Sequence, residues 1–120
     1  MAGLMTIELT GLRFHAFHGL YEGEKIVGNE FDVSLYVSYC PKTEIINELS
    51  DTINYAVIYD LVKKRMQQRT DLLETIAMLI AEEIHLQFPQ VQKVDISITK
   101  LQPPIAGFIG NVAVRYQKEF

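Results

Sequence analysis

The chain has 120 residues, 15 acidic and 11 basic, for a net charge of −4 near neutral pH. That length predicts one domain, residues 1–120, able to bury roughly two-thirds of the surface its unfolded form exposes, and the acidic balance, with no basic cluster beyond Lys63, Lys64 and Arg65, excludes the phosphate-neutralising stripe of a nucleic-acid binder. Cys40 is the single cysteine, which rules out an intrachain disulfide or a four-cysteine zinc site, and neither a bilayer-length apolar run nor a signal peptide is found in it or in the opening MAGLMTIELTG, so a cytoplasmic protein without membrane or nucleic-acid partners is expected.

From Met5 to His18 apolar residues recur at every second position, at Met5, Ile7 and Leu9 and again at Leu12, Phe14 and Ala16. This predicts a strand, and the slip of one residue at Gly11 is what a β-bulge produces. Gly19 to Asn29 is polar and punctuated by glycine, which predicts a long hairpin loop. Phe31, Val33, Leu35, Val37 and Tyr39 then alternate with mostly polar neighbours as a second strand with one apolar face. After Pro41 the interval becomes three and four: Tyr55, Ile58, Tyr59, Val62 and Met66 predict a helix from Tyr55 to about Arg69. Leu72, Leu73, Ile76, Ala77, Ile80 and Ile84 predict a second helix, stopped by Phe88-Pro89. Val91, Val94, Ile96 and Ile98 restore period two in a strand that ends on Lys100, where Pro103 and Pro104 prevent the ladder from continuing. Val112, Val114 and Tyr116 make the last strand.

The order ββααββ predicts an α+β fold, a four-stranded antiparallel sheet with two helices on one face. On the other face Tyr36 stands among serines and Asn111, Ala113 and Arg115 line the last strand, a pattern too mixed for a second core. The sheet would also have two open edges, which proteins usually cover or pair. Assembly edge to edge with further copies resolves both, so a homo-oligomer is predicted.

Four polar groups fall at element boundaries, and each has two readings. Glu74 lies three residues after Asp71, where it would close a capping box at a helix start; its carboxylate, flanked by backbone donors, would equally receive the paired N–H edge of a heterocycle. Tyr55 is either a core aromatic behind an Asn54 or Thr52 cap or a group for chemistry. Glu24 by itself is an ordinary loop acid, and Lys100 by itself is a strand-end lysine that guards the sheet from aggregation. His15 and His18, three apart in an extended segment, point to opposite faces and would not share a metal, and His85 has no ligand partner nearby on its helix, so no metal site is expected.

Together these stretches resemble the dihydroneopterin aldolase family of the tunnelling fold. The resemblance is carried by LTGLRFHAFHGLYEGEKIVGNEF at 9–31, DTINYAVIYDLV at 51–62, LLETIAMLIAEEI at 72–84 and ITKLQPPIAGFIGNVAV at 98–114, and it runs from about Ile7 to Arg115. It implies that four copies join edge to edge into a sixteen-stranded β-barrel and that two rings stack into a homo-octamer. Active sites would then lie between neighbours, with Tyr55 or the Glu24 loop reaching across from another chain.

The resemblance further implies a lyase of folate biosynthesis that splits 7,8-dihydroneopterin into 6-hydroxymethyl-7,8-dihydropterin and glycolaldehyde. No cofactor is implied, because the C6=N5 imine of the pterin accepts the electrons that other aldolases place on a Schiff base or a metal. By position, Glu74 with the Leu73 backbone would grip the 2-amino and N3–H edge of the pterin. Lys100 and Glu24 would govern removal of the 2′-hydroxyl proton, and Tyr55 would protonate the enol-like intermediate. Glu22 is the alternative loop acid, although the spacing to Gly28 and Phe31 favours Glu24. Two rival functions are an epimerase acting on dihydroneopterin triphosphate, for which the loop offers only Lys25, and a non-catalytic oligomeric scaffold in which Glu74 merely caps and Lys100 merely guards an edge.

Overall fold

A computed structural model describes residues 3–120. Four strands, β1 (Met5–Ala16), β2 (Asn29–Tyr39), β3 (Val91–Leu101) and β4 (Asn111–Glu119), form one sheet in the order β1-β2-β3-β4, and every neighbouring pair is antiparallel. Helices α2 (Tyr55–Met66) and α3 (Leu73–Gln87) lie in the connection from β2 to β3, with α2 packed on β1 and α3 on β3 and β4. This is the predicted ββααββ layer, with two short additions, a 3-10 turn at Leu49–Asp51 and a helix in the first connection. The segment expected to be a loop contains a short helix, α1 (Glu22–Val27). It escaped the periodicity because its outward residues are the apolar ones, Ile26 and Val27 being 77% and 72% exposed, while its one buried side chain is an acid, Glu24.

Alternation decides which side chains meet the helices. Phe31, Val33, Leu35 and Val37 of β2 stand opposite Lys100, Ile98, Ile96 and Val94 of β3, and apart from Lys100 all are fully buried. The same face continues through Leu9, Leu12 and Phe14 of β1, where the register shifts between Leu9 and Leu12. Gly11, at φ +68°, makes this bulge, and its N–H donates to Ser34 Oγ at 3.1 Å. One row across the sheet reads Phe14, Phe31, Lys100 and Val112. Lys100 therefore occupies a core-face position and continues the buried row, where a lysine that merely guarded the strand end would point to solvent. Pairing stops at Leu101 and Asn111, and the Asn29 amide reaches the Leu101 carbonyl at 3.4 Å to hold that end.

The helices bury narrower stripes than their sequence spacing predicts. Ile58, Val62 and Met66 of α2 are buried, whereas Tyr55 is 68% exposed and Tyr59 is half covered by stacking on Phe14 at 6.2 Å. In α3 the buried set is Leu73, Ile76, Ala77, Ile80, Ala81 and Ile84, with Leu72 left exposed at the cap position. The Asn54 side chain accepts from the Ala56 N–H at 2.9 Å and so caps α2. Arg65 of α2 pairs with Glu83 of α3, joining the two helices.

Two substitutions test this layer by denaturant unfolding at fixed protein concentration. Leu35→Ala, which empties a fully buried site at the sheet centre, is expected to cost about 3 kcal/mol, and Asn54→Ala, which removes a cap, about 1 kcal/mol.

Candidate active site

Lys100 projects from the core face at the end of β3, beside the fully buried ring of Phe31, whose centroid lies 5.8 Å from Nζ. A cation in such surroundings is costly unless paired and hydrogen-bonded. Its partner is Glu24 of α1: Nζ donates to Glu24 Oε2, and the two side chains are 12% and 3% exposed. The other carboxylate oxygen accepts the Tyr21 N–H at 3.3 Å. Glu22 is exposed and pairs with Lys25 at 3.0 Å, so Glu24 is the loop acid that meets Lys100. Both members of the pair come from one chain.

Gly19 makes room for that carboxylate. Its φ is +143°, and a Cβ at this position would overlap Glu24. The residues next to it are tied to the connection between α2 and α3. The Thr70 N–H donates to His18 Nδ1 at 3.1 Å, the Gly19 N–H donates to the Thr70 carbonyl at 3.2 Å, and Arg69 donates to the Gly19 carbonyl at 2.5 Å. At the other end of α1, His15 donates from Nδ1 to Glu30 at 2.8 Å and from Nε2 to the Val27 carbonyl at 3.1 Å. The Glu30 bond and then the Val27 carbonyl hold the His15 pKa above its ordinary 6.5. The end of the helix bearing Glu24 is thus held by an exposed histidine, while a buried one, His18, ties the segment before the helix to the α2–α3 connection.

The other expected residues stand apart from the pair within one chain. Leu73 is buried and begins α3, and Glu74 is its second residue, exposed in the first turn where the helix dipole favours an acid. The cap expected from Asp71 is not formed. Leu72 is the N-cap and makes no side-chain capping bond, because Asp71 is drawn to Arg69 at 2.6 Å. Tyr55 opens α2 in solvent and is not the core aromatic that its spacing allowed. A cleft of about 540 Å³ lined by Tyr39, Cys40, Asp51 and Pro89 lies at the opposite end of β2 and includes none of these groups. Among the described residues no three His, Cys, Asp or Glu side chains converge as metal ligands.

Sequence reasoning missed two polar features. Metal ligation is the wrong test for His18; its position before Gly19 and the acidic loop is the available signal. On the uncovered face of the sheet, Asp95 accepts a two-pronged bond from Arg115, at 3.0 and 2.7 Å, and a third from Gln117 at 2.8 Å. The Arg115 bond, outweighing burial, holds the Asp95 pKa below the usual carboxylate range. Asp95 and Arg115 sit on adjacent strands directly opposite Tyr36 and Ser97, a pairing that only the register reveals.

Chemically, the pair offers an acceptor and a cation in a sheltered place, suited to moving a proton from a hydroxyl and balancing the charge that develops. The start of α3, where Glu74 is exposed in the first turn, offers a carboxylate to a planar N–H edge.

Comparison with known proteins bears on this arrangement. The profile of the FolB dihydroneopterin aldolase family matches residues 7–117. The dihydroneopterin aldolase of Streptococcus pyogenes serotype M1 is 30% identical over 115 residues, covering 94% of this chain and 97% of that protein. Among solved structures, the FolB protein of Vibrio cholerae O1 superposes with a TM-score of 0.82 at 20% identity, over 98% of this chain and 99% of that one. The Escherichia coli dihydroneopterin aldolase in complex with neopterin does so with a TM-score of 0.76 at 19% identity, over 95% and 98%.

Removing either acid distinguishes their environments. Glu24→Ala leaves the Lys100 ammonium sheltered without a partner and is expected to lower unfolding stability by about 3 kcal/mol, while Glu22→Ala breaks only a surface pair and is expected to change it by under about 0.5 kcal/mol. The His15 clamp has the opposite handle, pH. Because its folded pKa is raised, the thermal stability advantage of the native chain over His15→Gln should be complete below pH 6.5 and disappear as pH rises through the raised value.

Proposed function

Because the chain belongs to the dihydroneopterin aldolase family, we propose that Lys100, Glu24 and Tyr55 carry retro-aldol cleavage of 7,8-dihydroneopterin while Glu74 and Leu73 hold the pterin. The observation that supports this reading best is the Glu24–Lys100 pair, buried on the core face and assembled from residues far apart in sequence. A structural lysine has no need of so sheltered a site.

The step balances without a cofactor. The 2′-hydroxyl gives its proton to the Glu24 carboxylate, directly or through a water, and the Lys100 ammonium stabilises the developing alkoxide. The oxygen lone pair forms the carbonyl of glycolaldehyde as the C1′–C2′ bond breaks. The electrons of that bond move into the C6=N5 imine and leave an enol-like intermediate. The Tyr55 hydroxyl protonates C1′ to give the hydroxymethyl product, and the proton taken up first restores the tyrosine. Glu74 accepts from the 2-amino and N3–H donors with the Leu73 backbone beside it, and a ligand lacking those donors would leave the carboxylate unpaired. The triphosphate epimerase is the weaker reading, since Lys25, the basic residue of the loop, is already engaged by Glu22.

The same reading takes the working form as a homo-octamer of two stacked four-membered rings in the cytoplasm. Among the described residues no helix is long and apolar enough to cross a membrane. In support of assembly, the chain measures 53 × 23 × 21 Å with a radius of gyration of 16.0 Å, against about 13.6 Å for a compact chain of this length. Strands β1 and β4 leave both sheet edges unpaired, and the apolar tips of α1 and of the β3–β4 loop are exposed, Ile109 at 93%. Tyr55, standing in solvent in its own chain, is then the residue that completes a neighbour's site.

Incubation with 7,8-dihydroneopterin, following glycolaldehyde and the 2′ epimer, tests the reaction. Lys100→Ala should lose at least about 100-fold in turnover with assembly intact, and Glu74→Gln should weaken pterin binding about 10-fold or more. Absence of glycolaldehyde from demonstrably octameric protein would overturn the reading. Mixed octamers of Lys100→Ala and Tyr55→Phe chains should regain part of the activity that each lacks alone; no recovery would show that Tyr55 serves its own chain.

A further inference from the structure

His18 is a buried imidazole, 1% exposed, that the reaction described above does not use. It stands where β1 has ended, with its ring edge against Phe31 at 5.3 Å, on the same ring that flanks Lys100. Its Nδ1 accepts the Thr70 N–H at 3.1 Å, and a ring nitrogen that accepts carries no proton. The proton is therefore on Nε2, and the ring is neutral. Nε2 is buried and forms no hydrogen bond; the Met66 backbone favours the charged ring but does not reach bonding geometry.

Two parts of the site meet at this ring. On one side the chain passes to Gly19, against which the Glu24 carboxylate packs. On the other, Thr70 is three residues before Leu73 and four before Glu74, at the start of α3. The return bonds of Gly19 to the Thr70 carbonyl and of Arg69 to the Gly19 carbonyl complete a short, closed set of three. No strand pairing joins these segments, since β1 ends at Ala16 and both flank elements of the helical layer.

We propose that His18 is a positioning residue: as a neutral imidazole it ties the segment that bears Glu24 to the turn that opens α3, holding the acid–base pair and the pterin-gripping carboxylate in one frame. This rests on the roles proposed above for Glu24, Lys100 and Glu74. Protonation would put an N–H opposite the Thr70 N–H and break the tie. The charged groups about the ring are Lys100 of β3 and Arg69 of the α2–α3 connection, with Glu24 of α1 already held by Lys100; burial first, then both cations, keep the His18 pKa below 6.5. The frame consequently survives mild acid and is lost only as pH falls through that depressed value.

Two variants separate positioning from simple packing. His18→Leu fills the volume but offers no acceptor, and kcat/KM should fall about 10- to 100-fold, with KM rising as well as kcat falling because both halves of the site shift. His18→Asn puts Oδ1 where Nδ1 stood and cannot become charged. It should retain kcat/KM within about 3-fold of the native protein, and its acid limb should move to lower pH. Amide hydrogen exchange over residues 67–73 should be faster in His18→Leu and native-like in His18→Asn. An Asn variant as impaired as the Leu variant, or one whose acid limb matches the native protein, would overturn the proposal, as would unchanged exchange in His18→Leu. Should His18→Leu fail to fold, the pH profile of His18→Asn decides. If the native protein releases no glycolaldehyde, the reaction assigned above fails, and the tie is still judged by exchange.

Discussion

A single unfavourable placement organises one end of this molecule: a lysine on the core face of a sheet. Lys100 continues the row of Ile98 and Ile96 opposite Phe31, where an unpaired ammonium would lose most of its hydration. Only a carboxylate brought to the same depth compensates it. Glu24 does so from 76 residues away, and the helix that carries it is turned inside out, acid inward and aliphatic side chains outward. Gly19 follows from the same demand, since any larger residue would displace the carboxylate. A motif that reads as histidine, glycine and an acidic loop is in physical terms the housing of one ion pair.

The pair is placed by the sheet, but the groups around it come from the helical layer. The α2–α3 connection reaches back through Arg69 and Thr70 to Gly19 and His18, so the first turn of α3 and the end of β1 share a set of hydrogen bonds. Packing alone would leave these segments free to slide, because neither belongs to a ladder. The uncovered face of the sheet is stabilised differently. Asp95, Arg115 and Gln117 satisfy one another across β3 and β4, which lets a face with no helix over it remain polar and ordered without a second core. That face and the unpaired edges suit a wall of a larger closed sheet, and the exposed apolar tips near Lys100 suit contact between copies.

Much of the fold was legible in the sequence. Period two gave four strands, the slip at Gly11 located the bulge, and Phe88-Pro89 closed the second helix where α3 ends. The misses have identifiable causes. Helix α1 carries no amphipathic signal because its buried residue is Glu24. Asp71 has the right spacing for a cap, yet a stronger local attraction to Arg69 removes it, and Leu72 takes the position without a side-chain bond. Tyr55 fits the apolar interval of α2 but lies in its first turn and stays in solvent. Of the proposed site, Glu24, Tyr55, Glu74 and Lys100 are each legible as boundary residues, and for each a structural reading stands beside the chemical one.

The sequence by itself determined the element order, the apolar face of each strand and the identity of the polar groups at the element ends, because those depend on local periodicity and on short-range backbone limits such as proline. It also carried the family, since spaced motifs survive as text. The tertiary structure alone decided that Glu24 rather than Glu22 meets Lys100, that His18 is neutral and tied to Thr70, and that Asp95 is forked by Arg115. These are contacts between residues 20 to 76 positions apart, set by sheet register and by the balance of desolvation against pairing, and neither quantity is written in any local stretch of the chain.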